Sequence, residues 1–244
     1  MENEIIAAKG LTVCINGESP VLLDVNIAIH EGDFVFLKGA NGSGKTTLLN
    51  VLSCYTPLGR SYNVDGKIIF AGKTNILENA DNQWYKTEIS YVQQNILCYN
   101  ESVLAVFLTA MTGIKDVSRQ DILQWLSRDS IKPLLPINAK KLLETRTASL
   151  SEGQRKIVNI LAGIMRAEYC KLLIIDEPLN HLDSYNVKEV IELIASLKRF
   201  NTGIATIITT HCQAFPEPTQ YLIVKNGHIQ QSQNKYIQYQ CYNL

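Results

Sequence analysis

At 244 residues, 46% of them hydrophobic, the chain is long enough to bury one sizeable core and short for two full domains. Its 23 Lys and Arg balance its 23 Asp and Glu, which leaves no charge excess for a polyanion and sets nucleic acid aside as a main partner. No apolar run approaches the roughly 20 residues that span a bilayer, and Met1-Glu2-Asn3-Glu4 lacks a secretory signal, so the expectation is a soluble, cytoplasmic protein.

The first thirty residues predict antiparallel strands, with alternating apolar positions in Ile5-Ile6-Ala7-Ala8, Leu11-Thr12-Val13, Val21-Leu22-Leu23 and Val25-Asn26-Ile27-Ala28-Ile29. The apolar run Phe34-Val35-Phe36-Leu37 then leads into Gly39-Ala40-Asn41-Gly42-Ser43-Gly44-Lys45-Thr46, a complete G-x-x-x-x-G-K-[ST] phosphate-binding loop. Its glycines let successive backbone N–H groups turn inward around phosphates, with no side chain in the way. Lys45 reaches the outer phosphates and Thr46 is a ligand for Mg²⁺. The pattern Thr46-Thr47-Leu48-Leu49 is helical, so the positive end of a helix dipole points at the same anion. Strand, loop and helix occur in the order that binding a nucleoside triphosphate requires.

Gly59, Asp65-Gly66 and Ala71-Gly72 read as turns around a short strand Lys67-Ile68-Ile69-Phe70, and Ile89-Ser90-Tyr91-Val92 reads as another strand. From about residue 101 the period becomes helical, through Val103, Leu104, Phe107, Leu108 and Met111. Ser118 with Asp121 resembles a capping box opening a second helix over Ile122, Leu123 and Leu126, and Pro133 and Pro136 interrupt the pattern. Residues 95–149 are therefore expected to be a helical insertion into an α/β core. Helical spacing resumes at Ile157, Ile160, Leu161 and Ile164, ahead of Leu172-Leu173-Ile174-Ile175-Asp176-Glu177. That unbroken apolar run is the pattern of a central parallel strand buried on both faces. A helix over Val187, Val190, Ile191, Ile194 and Leu197, a strand Ile204–Ile208 and a strand Tyr221–Val224 follow, so a mostly parallel, doubly covered sheet is expected. From Gln230 the chain is polar, a surface strand or tail. The six cysteines, at 14, 54, 98, 170, 212 and 241, form no C-x-x-C pair and read as reduced thiols without a metal site.

Ligands of such sheets gather at the carboxyl ends of the strands. Asp176 and Glu177 therefore share an edge with the phosphate loop, Asp176 suited to the outer shell of the metal and Glu177 to positioning an attacking water.

With these residues in place, Leu150-Ser151-Glu152-Gly153-Gln154, just upstream of the Asp-Glu strand, resembles the LSGGQ signature of ATP-binding-cassette (ABC) proteins. The resemblance covers nearly the whole chain. It implies an α/β fold with a P-loop NTPase core around a mostly parallel central sheet, an N-terminal antiparallel β subdomain and an inserted α-helical subdomain. The division would be one domain over 1–244, with 1–94 and 150–244 as core and β subdomain and 95–149 as the helical part. It further implies ATP and Mg²⁺ as ligands, with Gly39, Asn41, Gly42, Ser43, Gly44, Lys45, Thr46 and Thr47 around the nucleotide. Thr46, Gln94 and Asp176 would be at the metal. Glu177 would be catalytic together with Gln94, which matches the Q-loop glutamine, and His211, which matches the switch histidine. Asp183, in Asn180-His181-Leu182-Asp183, matches the D-loop. Without the resemblance, Gln94 would be a polar strand end, His211 a structural histidine and Asp183 a helix cap.

In this family two subunits meet head to tail, each ATP lying between one phosphate loop and the partner's signature, where Ser151 and the backbone at Gly153 donate to the γ-phosphate. The implied partners are thus a second ABC ATPase subunit, as homodimer or heterodimer, and a separate transmembrane permease. The implied place is cytoplasmic, peripheral on the inner face of the membrane. The helical insertion and the exposed-looking Asn82-Gln83-Trp84-Tyr85 would receive a cytoplasmic helix of the permease, although Trp84 equally fits an ordinary half-buried aromatic. The alternative is a soluble ABC ATPase acting on another assembly: Asn180–Asp183 resembles the tetrapeptide of tandem translation-associated members, a version that the single phosphate loop opposes. A third is a cassette that barely hydrolyses ATP, which Glu177 argues against.

Three departures from the family stand out. Glu152 replaces the first signature glycine and, if turned inward, weakens closure through its charge; turned away, it does not. Ile15 occupies the place of the aromatic that stacks on adenine, which leaves the base preference open. Asn159 and Leu161 stand in the helix where arginines are common.

Overall fold

Two long strands, β1 (Glu4–Ile15) and β2 (Pro20–His30), pair antiparallel, joining the short runs expected from the sequence into one hairpin. The structure, a computed structural model, describes residues 3–57, 59, 61–72, 74–78, 83–94, 100–200, 203–210, 212 and 214–232. After β3 (Phe34–Gly39) comes α1 (Lys45–Leu52), and then β4 (Tyr62–Phe70), β5 (Thr74–Asn75) and β6 (Ile89–Val92). Three helices follow: α2 (Val103–Met111), α3 (Arg119–Leu126) and α4 (Ala139–Glu144). The chain continues with α5 (Glu152–Ala167), β7 (Leu172–Asp176), α6 (Ser184–Phe200), β8 (Ala205–Thr209), β9 (Gln220–Lys225) and β10 (His228–Ser232).

The strands form two sheets, an antiparallel one in the order β2-β1-β4-β5 and a larger one in the order β10-β9-β3-β8-β7-β6. In the larger sheet only the β10–β9 pair is antiparallel, which makes this a mixed α/β fold with a mostly parallel sheet beside an antiparallel one. β7 lies between β8 and β6, one strand in from the edge, and all five of its residues are buried, as its unbroken apolar run requires. Alternate β7 residues serve opposite faces. Leu173 and Ile175 join one core cluster with α2–α6, whereas Leu172 and Ile174 join a second with α1 and the antiparallel sheet.

The capping box at Ser118 and Asp121 is present and starts α3. α4 was not legible in the sequence, since six residues are too few to show a helical period; Asn138 caps it, and Leu142 and Leu143 hold it to the core. Among the described residues no helix is long and apolar enough to cross a membrane.

Two expectations need correction. Asp65-Gly66 is not a turn but lies inside β4, opposite a register shift in β1 between Lys9 and Thr12. Gly10 and Gly66 both have positive φ there, and a Cβ on Gly66 would stand 2.5 Å from the Gly10 carbonyl oxygen. The residues that make a turn also make a β-bulge, so composition alone misplaces them. Secondly, of the two readings of Trp84 the half-buried aromatic holds, and the exposed docking surface expected over Trp84 and Tyr85 does not. Tyr85 is buried, and half-buried Trp84 stacks edge-on against Phe70 at 5.7 Å. Asn82 lies outside the described residues, as do Cys98, Cys241 and the tail beyond Ser232.

Among the described residues, Cys14, Cys54 and Cys212 are free thiols, and the buried Cys170 thiol is hydrogen-bonded to the Thr87 and Arg166 carbonyls. Burial pushes the Cys170 thiol up to about 12, with Arg166 pulling the other way and Glu88 adding to the rise. Cys170 should therefore stay unmodified by iodoacetamide at pH 8 in the native protein and react after denaturation, as mass spectrometry of the alkylated chain will show. Gly66→Ala should lower stability by about 2–3 kcal/mol, seen as a melting temperature lower by about 4–10 °C in a thermal scan.

Candidate nucleotide-binding site

The parallel register brings four strand ends to one edge. Leu37 of β3 stands opposite Thr209 of β8, Thr209 opposite Asp176 of β7, and Ile175 of β7 opposite Val92 of β6. The phosphate loop leaves β3 at this edge, and exposed Gln94 lies two residues past β6. In the loop, Gly39, Gly42 and Gly44 have φ of 155°, 77° and 105°. A Cβ on Gly39 would lie 2.6 Å from both Ser43 Oγ and the Val224 carbonyl oxygen, so only glycine lets the loop pass β9. Asn41 and Gly42 are exposed at its crest, while Thr47 is buried beneath it.

Lys45 is curled over this loop, its Nζ donating to the Gly39 and Ala40 carbonyls at 2.9 and 3.1 Å. No side chain caps the start of α1, which leaves its first N–H groups directed into the loop. Ser43 Oγ is buried without a hydrogen-bond partner among the described residues. A buried hydroxyl left unsatisfied costs about 1–3 kcal/mol, and a phosphate oxygen is the acceptor that this cradle fits.

Beside the loop, Asp176 is fully buried and accepts two hydroxyl hydrogen bonds, from Thr46 Oγ1 at 2.7 Å and from Thr209 Oγ1. Thr209 Oγ1 in turn accepts the Glu177 N–H at 2.8 Å. Glu177 is 8% exposed and sits at φ 49°, a left-handed conformation that costs a non-glycine residue on the order of 1–3 kcal/mol. Carboxylate, hydroxyl and amide oxygens at Asp176, Thr46 and Gln94 are the hard donors that Mg²⁺ takes. Tyr91 donates to Asn50 Oδ1 at 2.9 Å, and Asn50 donates to the Tyr62 hydroxyl at 2.8 Å, which ties β6 to α1 and β4. Burial, with the Asp176 charge next, raises the Tyr91 phenol well above its ordinary range, so it stays neutral.

Sequence reasoning missed two members. Thr209 closes an apolar strand run with a hydroxyl, a weak signal that its place beside Asp176 makes meaningful. Lys156, in α5, is 3% exposed, and its Nζ donates to the main-chain oxygen of Gln94 at 3.1 Å. Burial holds its ammonium below the usual lysine range, against the opposing charges of Asp176 and Glu177. A lone lysine in an amphipathic helix reads as a solvent-facing residue. His211, the expected switch histidine, lies outside the described residues.

The signature forms a second cluster. Ser151 caps α5 in a reciprocal box with Gln154, over a buried Leu150. Gly153 packs under the His181 carbonyl, to which a Cβ would come within 3.0 Å. Glu152 answers the question of its direction: its carboxylate stands 3.6 Å from Nδ1 of His181 in the same chain, both side chains exposed. Asp183 caps α6, accepting from the Asn186 N–H at 2.9 Å and Asn186 Nδ2 at 2.7 Å, and these bonds lower its pKa. Ser151, Gly153, His181, Asp183 and Tyr185 line one open cleft of about 460 Å³. A separate cavity of about 360 Å³ lies between α2, α5 and the end of β6, with Gln93, Glu101, Val106, Arg155 and Asn159 in its walls. Ile15 ends β1 opposite Tyr62, so no aromatic stands at that position, and the Tyr62 hydroxyl is engaged by Asn50.

Known proteins resemble this chain in sequence and fold. The profile of the ABC transporter family matches residues 22–180. A macrolide export ATP-binding/permease protein MacB from Pectobacterium atrosepticum is 28% identical over 94% of the chain, which spans about a third of that relative's length (34%). A putative hemin import ATP-binding protein HrtA from Staphylococcus epidermidis is 26% identical, the match covering 88% of this chain and 92% of the relative. A solved ATP-binding subunit of an ABC transporter superposes with a TM-score of 0.72 at 22% identity, covering 93% of this chain and 89% of its own, which shows the fold. With the family profile matched over well over half of its residues, the chain belongs to the ABC transporter family, as an ATP-binding component.

Proposed function

We propose that this protein is a Mg²⁺-dependent ATPase that drives a separate transmembrane permease through head-to-tail dimerisation. What carries the reading is the meeting, at one sheet edge, of the phosphate loop, buried Asp176 with its two threonine donors, and Glu177 held by Thr209. The loop amides and Lys45 bind the phosphates; Lys45 exchanges its two loop carbonyls for phosphate oxygens, which are stronger acceptors for an ammonium. Thr46, Asp176 and Gln94 hold Mg²⁺, which supplies charge neutralisation at the phosphates when bound. Glu177 positions and deprotonates the attacking water, and the switch-histidine role falls to His211 by the family resemblance.

The signature cluster belongs to a partner's nucleotide in this reading. Ser151 and the α5 N-terminus present donors outward, and Asp183 lies in the same cleft. Closure of two subunits on ATP and reopening after hydrolysis is a population shift driven by contacts to the γ-phosphate. Residues 1–94 and 150–244 act as the core and 95–149 as the helical subdomain. The cavity between α2 and α5, rather than Trp84 and Tyr85, takes a cytoplasmic helix of the permease. Transport is favoured over a soluble role because relatives covering most of the chain are named for export and import. In this reading the protein acts at the inner face of the membrane.

Wild-type protein should hydrolyse ATP in the presence of Mg²⁺. Glu177→Gln should hydrolyse it at least about 100-fold more slowly and accumulate an ATP-bound dimer, read by light scattering. A wild type that neither hydrolyses nor dimerises would overturn the reading. Thr209→Val, which unties both Asp176 and Glu177, should lower kcat by about 10- to 100-fold while ATP affinity, by fluorescent-nucleotide titration, stays within a few-fold.

A further inference from the structure

Lys156 is a buried cation that the chemistry above does not use. A charge taken out of water costs free energy unless it is paired and hydrogen-bonded, and an apolar residue of similar volume is often neutral or stabilising in its place. At this position, on the sixth turn-forming residue of the segment that opens with Ser151, the side chain turns inward to 3% exposure. Its hydrogen bond goes to the main-chain oxygen of Gln94, at 3.1 Å, and the carboxylates whose charges act on it are Asp176 and Glu177.

We propose that Lys156 is a positioning residue of the ATPase: its ammonium anchors the main chain at Gln94 against the Asp176–Glu177 end of β7, so that the Gln94 side chain is delivered to the reacting phosphate. The proposal rests on the function argued above. The geometry favours this role over simple packing. Gln94 is exposed and follows β6 by two residues, beyond the last strand pair at Val92, so the sheet does not hold it there. The lysine supplies a tether from α5, the helix whose first turn carries the signature. One rigid element thus touches the partner-facing cleft with Ser151 and Gly153 and the chain's own Gln94 with Lys156. A shift of α5 on closure moves Gln94 with it.

The test compares wild type with Lys156→Met, which keeps the length of the side chain and removes its charge and donors, and with Lys156→Arg, which restores both. Hydrogen–deuterium exchange of the nucleotide-free proteins reads the tether directly, independently of turnover. Lys156→Met should speed exchange in the peptide covering 91–94 by about tenfold with an unchanged or higher melting temperature. In hydrolysis it should lower kcat by about tenfold or more with KM for ATP within threefold, and Lys156→Arg should recover most of that loss. Unchanged exchange at 91–94, an unchanged kcat, or a kcat loss that follows a fallen melting temperature would each overturn the proposal. If the wild type itself does not hydrolyse ATP, the functional reading fails and the exchange measurement alone decides whether Lys156 anchors Gln94.

Discussion

One buried carboxylate organises this molecule. Asp176 has no exposed surface, and its two oxygens are satisfied by hydroxyls from the start of α1 and the end of β8. A carboxylate so placed would cost several kcal/mol if either donor were missing, so the three segments must arrive together. Their arrival depends on the parallel register, in which Asp176, Thr209 and Leu37 stand in one row across β7, β8 and β3. The same Thr209 oxygen fixes the Glu177 amide, so satisfying Asp176 and setting the unusual backbone of Glu177 are one event. Strain at Glu177 persists because its surroundings determine it twice over, through β7 and through Thr209.

Much of this was legible in the sequence because the relevant signals are contiguous. The phosphate loop is eight consecutive residues, and β7 is an apolar run ending in two carboxylates, so both motif and burial are read along the chain. The signature, too, is a short segment at a helix start. What escaped reading is what the third dimension assembles. Thr209 and Lys156 gain their roles from Asp176 and Gln94, which lie 33 and 62 positions away. Trp84 and Tyr85 looked exposed because polar residues precede them, whereas their burial comes from Phe70 and the antiparallel sheet. Asp65-Gly66 shows a different limit: turn and bulge need the same positive φ, and only the neighbouring strand, which passes Gly66 at Gly10, tells them apart.

The departures from the family pattern also gain physical content. Glu152 turns along the surface to His181, so its carboxylate stands beside an imidazole on the loop before α6. Both groups are about two-thirds exposed, and an ion pair in that setting contributes little to stability. Its meaning is in where the charge sits, at the rim of the cleft that holds Ser151 and Asp183. At Ile15 the departure puts an aliphatic side chain opposite Tyr62, whose hydroxyl is engaged by Asn50.

The two cores on either face of the large sheet take alternate side chains of the same strands: Leu173 and Ile175 on one side of β7, Leu172 and Ile174 on the other. Between them stand the backbones of β3, β8 and β7, whose hydrogen bonds do not depend on which apolar residue fills either layer. Substitutions in the helical core around Phe107 and in the β-sided core around Phe70 lie in separate packing neighbourhoods, and their effects should combine by simple addition. The helical layer can therefore be repacked without disturbing the layer beneath the phosphate loop. The sheet works as a partition, so that a change in the helical layer stops short of the layer that carries the loop.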